Sequence, residues 1–112
     1  MEIDTSTEGP ATVLSLDGYL DSFSVNYLKE TFSKLFDEGN YKIIVNLTDV
    51  GFVDSAGLGQ LVSALRMCIH HNGNVFLVGT NDSINDLLKI TKLDTVFKIF
   101  DTVEEAEGAF TG

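Results

Sequence analysis

"VNLTDVGFVDSAGLGQLVSALRM", residues 45–67, changes its periodicity at a single point. An apolar run ends at Val53. After Asp54-Ser55, Leu58, Leu61, Val62, Leu65 and Ile69 recur at helical spacing. A strand that feeds directly into a helix is the unit from which parallel sheets are built, so this stretch decides the fold class. It also raises a chemical question, because a hydroxyl stands at the junction.

Working outward, residues 2–7 and 11–21 read as two strands joined by Glu8-Gly9-Pro10, a link short enough for an antiparallel hairpin. Val25, Leu28, Phe32, Leu35 and Phe36 form one helical face, with Ser24 as the expected N-cap and Gly39 as the stop. Residues 41–47 are a short buried strand. The helix opened by Ser55 ends near Asn72-Gly73, and 74–79 is the next strand. Residues 83–91 form a helix capped by Ser83. Residues 96–100 form a strand, and 102–110 form a helix with acid in its first turn. The expected class is α/β, in the order β-β-α-β-α-β-α-β-α. The sheet is mixed but mostly parallel, is packed with helices, and carries the first strand as an antiparallel edge.

The chain of 112 residues suits one domain, 1–112, and is 44% hydrophobic. The opening "MEIDTSTEGP" is acidic and lacks the order of a signal peptide, and no apolar run reaches a membrane span. A cytoplasmic protein is expected. The one cysteine, Cys68, excludes an internal disulfide framework and a cysteine-based zinc site; it reads as a small buried hydrophobe. The formal net charge of -10 opposes binding to nucleic acid or to an anionic membrane, and permits a basic protein partner. The tyrosines Tyr19, Tyr27 and Tyr41 show no spacing that suggests stacking.

Three roles compete for Ser55. Serine is among the best N-cap residues, worth about 1 kcal/mol. A strand–serine–helix turn also suits an esterase nucleophile, but the first glycine of G-x-S-x-G is missing here. A nucleophilic serine needs a base within hydrogen-bond reach. The only histidines, His70 and His71, stand at the far end of the same helix, about 22 Å away at ~1.5 Å per residue. No catalytic residue and no metal ligand is therefore assigned. The third role is a phosphorylation site within a protein-recognition patch. Ala56, Gln60, Ser63 and Met67 lie opposite the core stripe, and Arg66 is the helix's only charged residue. A neutral small-residue face with a methionine suits protein docking. Gly57 and Gly59 together cost the helix about 2 kcal/mol against alanine, which close approach of a partner or of the sheet would offset.

These residues carry a resemblance. "IIVNLTDVGFVDSAGLGQLVSAL", with "GYLDSFS" (18–24) and "LLKITKLDTVFKIFDTVEEA" (87–106), resembles the STAS domain of bacterial anti-sigma factor antagonists over nearly the whole chain. The resemblance implies a partner switch. The unmodified antagonist binds an anti-sigma factor, commonly also a serine kinase, and so frees a sigma factor. Phosphorylation of the serine after the aspartate ends binding, and a metal-dependent PP2C-type phosphatase reverses it. The ATP and Mg²⁺ belong to the kinase, so this chain needs no cofactor and is not an enzyme. By the same resemblance Ser55 matches the phosphoacceptor and Asp54 the preceding aspartate. Asp21 matches an aspartate of the neighbouring loop, and Gly57, Leu58 and Gly59 match the motif's tail. Many relatives have a second hydroxyl where Ala56 stands. The free protein is expected to be a monomer. The alternatives are a STAS switch acting on secretion or signalling rather than a sigma factor and, further off, a small-ligand module or a hydrolase.

Overall fold

The computed structural model describes residues 1–111. The elements are β1 (Glu2–Glu8), β2 (Ala11–Leu20), α1 (Val25–Asp37), β3 (Lys42–Val53), α2 (Ser55–His70), β4 (Asn74–Val78), α3 (Asp82–Ile90), β5 (Lys98–Phe100) and α4 (Val103–Thr111). A short 3-10 turn, Leu93–Thr95, precedes β5. The five strands lie in the order β1-β2-β3-β4-β5. β1 pairs antiparallel with β2, and the other three pairings are parallel. The class and element order expected from the sequence are those observed.

Each parallel step moves the chain one strand further the same way. Right-handed crossovers then place α1, α2 and α3 on one face. Their apolar sides close over Leu14, Leu16, Ile43, Val45, Leu47, Val75 and Leu77 in one core. α4 returns over the opposite face, where Ala106 and the partly buried Val103 and Phe110 pack on Val13, Ile44, Phe76 and Val78. Alternate residues of β3 thus enter different cores, as period-two geometry requires.

Several boundaries differ from the sequence reading, each for a local reason. The strand expected at 41–47 continues to Val53, because β2 keeps pairing beyond two register shifts, as far as Leu20↔Val53. Bulges of this kind bend a strand and interrupt the alternation that would reveal it. The strand expected from residue 96 starts at Lys98, since the 3-10 turn occupies the preceding residues and leaves Val96 exposed. α3 is capped by Asn81, not Ser83; the Asn81 side chain accepts from the Ile84 amide at 2.9 Å. Tyr41 is stacked after all. Its ring lies 4.0 Å from that of His71 and 5.5 Å from that of Phe36, neighbours brought together only by the fold.

Candidate functional site

The chain leaves β3 at Val53 and turns into α2 through one extended residue, Asp54 (φ -100°, ψ -176°). Asp54 does the capping. Its Oδ1 accepts from the Gly57 amide at 2.9 Å, and its carbonyl accepts from the Leu58 amide at 2.9 Å. This corrects the expectation that Ser55 is the cap. Ser55 is the first helical residue and is exposed, and among the described residues its hydroxyl has no hydrogen-bond partner. Asp54→Ala is therefore expected to cost about 1 kcal/mol of stability, the worth of a cap, and Ser55→Ala only a few tenths. Urea denaturation of the two variants checks the order; a costlier serine variant would contradict it.

Asp54 has a second task. Its Oδ2 accepts from the Ser22 amide at 3.2 Å, and its own amide donates to the Leu20 carbonyl at 3.1 Å. The loop between β2 and α1 is thereby tied to the start of α2. Within that loop the Asp21 Oδ1 accepts from the amides of Phe23 (3.0 Å) and Ser24 (3.1 Å). The Ser24 hydroxyl accepts from the Asp21 amide at 3.0 Å and donates to the Tyr19 carbonyl at 2.7 Å. Ser24, expected to cap α1, makes no side-chain cap bond and braces the loop instead. The structure thus brings Asp21, Asp54 and Ser55 into one region, with the Asp21 carboxylate engaged by its own backbone.

Along α2 the buried line is Gly57, Leu58, Leu61, Ala64, Leu65 and Cys68. It is rotated from the stripe expected: Val62 is only half-buried and Ile69 is exposed. The small residues Gly57, Ala64 and Cys68 let the helix sink toward its neighbours on that side. Gly57 is the point of tightest approach, where an added Cβ would lie 2.6 Å from the Leu20 carbonyl oxygen. Gly57 and Leu58, expected at a partner surface, therefore lie in the interior. Of the others, Gly59, Ser63 and Met67 are exposed, and Ala56 and Gln60 half-buried. Gly59, Val62, Ser63, Arg66, Met67 and His70 line a shallow groove of about 410 Å³. Arg66 belongs to this outer face, which is accordingly not free of charge. Cys68 is fully buried, and desolvation pushes its thiol from 9.0 up to about 12, which leaves it inert as a nucleophile.

The sequence reading missed an aromatic cluster beside the junction. Tyr19, Phe23, Tyr27 and Phe52 are all exposed. Tyr19 and Phe52 meet edge to face with centroids 6.3 Å apart. Tyr19, Phe23 and Tyr27 share a depression of about 380 Å³ with Met1, Asp21 and Ser24. The available signal was "GYLDSFS" itself, which puts two large aromatics around a turn where polar residues are the norm. Among the described residues no helix is long and apolar enough to cross a membrane, and no group of three or more His, Cys, Asp or Glu could hold a metal ion.

Known proteins resemble this chain in sequence and in fold. The anti-sigma-B factor antagonist of Staphylococcus aureus is 29% identical over 104 residues, covering 93% of this chain and 96% of that protein. A Thermotoga maritima protein provisionally classed as an anti-sigma factor antagonist superposes with a TM-score of 0.91 at 28% identity, over 96% of this chain and 92% of its own. The Bacillus cell fate determinant SpoIIAA, solved in a phosphorylated form, shares the fold with a TM-score of 0.77 at 20% identity, over 99% and 100% of the two chains. The STAS domain pattern matches residues 2–106, a span that takes in the hairpin, the Asp54 junction and the start of α4, and the chain belongs to the STAS domain family.

Proposed function

We propose that the protein is an anti-sigma factor antagonist controlled by phosphorylation of Ser55. The placement of Ser55 carries this reading. It stands exposed at the first position of α2, while its neighbour Asp54 performs the structural work that a serine at such a junction usually does. The hydroxyl is left for chemistry performed by another protein. The 29% identity to a staphylococcal anti-sigma-B factor antagonist supports the role.

In the unmodified state Ser55, Gly59, Ser63 and Met67, with the half-buried Ala56 and Gln60, face an anti-sigma factor that is also a serine kinase. Occupying that factor releases its sigma factor. In the modifying step the Ser55 Oγ attacks the γ-phosphorus of ATP, ADP departs, and the hydroxyl proton passes to a base on the kinase. ATP and Mg²⁺ belong to that partner, so this chain is substrate and ligand. A PP2C-type phosphatase, with its own metal, hydrolyses the ester and resets the switch.

The phosphate adds about -1.5 to -2 charge at pH 7. Of the first-turn amides of α2, Asp54 already occupies those of Gly57 and Leu58. The amides of Ser55 and Ala56 remain to receive the phosphate, so the fold survives modification. What changes is the surface a partner meets. The test is direct: incubate the protein with ATP, Mg²⁺ and the cognate switch kinase, then map phosphate by mass spectrometry. Label on Ser55, absent from Ser55→Ala, is expected. Label elsewhere, or none, rejects the reading.

A further inference from the structure

Phe23 is the most exposed large apolar side chain of the protein, at 95%. A benzyl group in water gains nothing for the fold. Its exposure here is not the slackness of a loose loop. The Phe23 amide is held by the Asp21 carboxylate at 3.0 Å, the preceding amide by Asp54 at 3.2 Å, and the following residue by its bonds to Asp21 and Tyr19. The loop spends its polar groups on presenting that ring outward. Tyr19, Tyr27 and Phe52, each about half exposed or more, extend the apolar surface around it. Rigid aromatics shown in advance of binding are the side chains from which interface hot spots are made, because little ordering entropy remains to be lost.

We propose that Phe23 is the apolar anchor by which the protein seats in a hydrophobic pocket of its anti-sigma partner, and that basic side chains rim this pocket. The inference rests on the function proposed above. Two observations select this occupant. The cluster is continuous with the Ser55 junction, since the amide of Ser22, the residue before Phe23, donates to Asp54, the residue before Ser55. The surrounding charge is acidic: Asp21 lines the same depression as the Phe23 ring and holds the Phe23 amide, on a chain of formal net charge -10. A pocket that takes the ring must meet the Asp21 carboxylate at its edge, and a basic residue meets it best. Phe23 then supplies affinity while Ser55, a short distance along the same surface, supplies the switch.

The test is isothermal titration of the purified cognate anti-sigma factor with wild type, Phe23→Ala, Phe23→Tyr and Ile90→Ala. Ile90 is exposed at the far end of α3 and serves as the apolar control. Phe23→Ala is expected to bind roughly thirtyfold more weakly, as hot-spot truncations do. Phe23→Tyr should recover most of that affinity, and Ile90→Ala should match wild type. Circular dichroism melts of all four should coincide, because an exposed ring holds nothing together. Wild-type affinity in Phe23→Ala, with Ser55→Asp still impaired, overturns the anchor and leaves the proposed function standing. No binding by wild type overturns both. A wild type that dimerises where Phe23→Ala stays monomeric, by sedimentation at equal concentration, shows that a second copy covers the patch and also overturns the anchor.

Discussion

Ser55→Asp is expected to bind the anti-sigma factor at least about a hundredfold more weakly than Ser55→Ala, with both proteins folded. The alanine variant loses only a hydroxyl that has no partner among the described residues, and the cap that holds α2 belongs to Asp54. The aspartate variant moves the formal charge from -10 to -11 at a position that adjoins Asp54. A carboxylate in the first turn of a helix is favoured by the dipole, by about 0.3–1 kcal/mol, so this variant melts at or slightly above wild type. The penalty falls on the complex. A partner fitted to a neutral hydroxyl beside Asp54 would have to bury a second carboxylate, and like charges brought together at an interface cost several kcal/mol. A hundredfold is about 2.7 kcal/mol, within that range. Calorimetric titration measures it, and equal affinities for the two variants would sink the switching account. Raising the salt separates the causes. An electrostatic penalty shrinks as the Debye length falls from about 10 Å at 0.1 M to about 3 Å at 1 M. A steric one stays.

How much of this was legible in the sequence depends on the range of the interaction involved. The class, the strand–helix alternation and the antiparallel first strand follow from periodicity and link length, which are local properties. The position of Ser55 at the head of α2 is local too. The identity of the cap was not. Serine and aspartate are about equally good N-caps, and Asp54 prevails because Ser22, 32 residues away, and Gly57 both need its oxygens. The end of β3 was hidden because residues 48–53 are held by pairing with a bulged β2, not by alternation of their own. The roll of α2 was missed for a related reason. Weighting the large side chains put Ile69 in the core, whereas the helix turns toward the side where Gly57, Ala64 and Cys68 permit contact. The aromatic cluster unites residues 19, 23 and 27 with residue 52, and only the β2–β3 register, Tyr19↔Phe52, reveals it.

The two glycines of the motif separate on the same ground, and they make opposite predictions. An added Cβ at Gly57 would stand 2.6 Å from both the carbonyl oxygen and the Cγ of Leu20, distances no carbon tolerates. Leu20 cannot retreat, because its side chain is fully buried and its carbonyl accepts from the Asp54 amide. Gly57→Ala must therefore push α2 off the end of β2. The expected cost is about 3 kcal/mol, the upper end for overpacking, and a fall of roughly 13 °C in Tm for a domain of this size. The displacement strains the Asp54 cap as well, so partner binding should weaken with stability. At Gly59 an added Cβ meets nothing within 4 Å. There the glycine brings only its helix-destabilising entropy, and Gly59→Ala should stabilise by up to about 1 kcal/mol, or roughly 4 °C. Scanning calorimetry of the pair decides the matter. Shifts of the same sign would mean that α2 does not lie against Leu20 as described. If Gly59→Ala melts higher yet binds the anti-sigma factor more weakly, the absent side chain at residue 59 makes room for the partner, and the glycine is kept for the complex rather than for the fold.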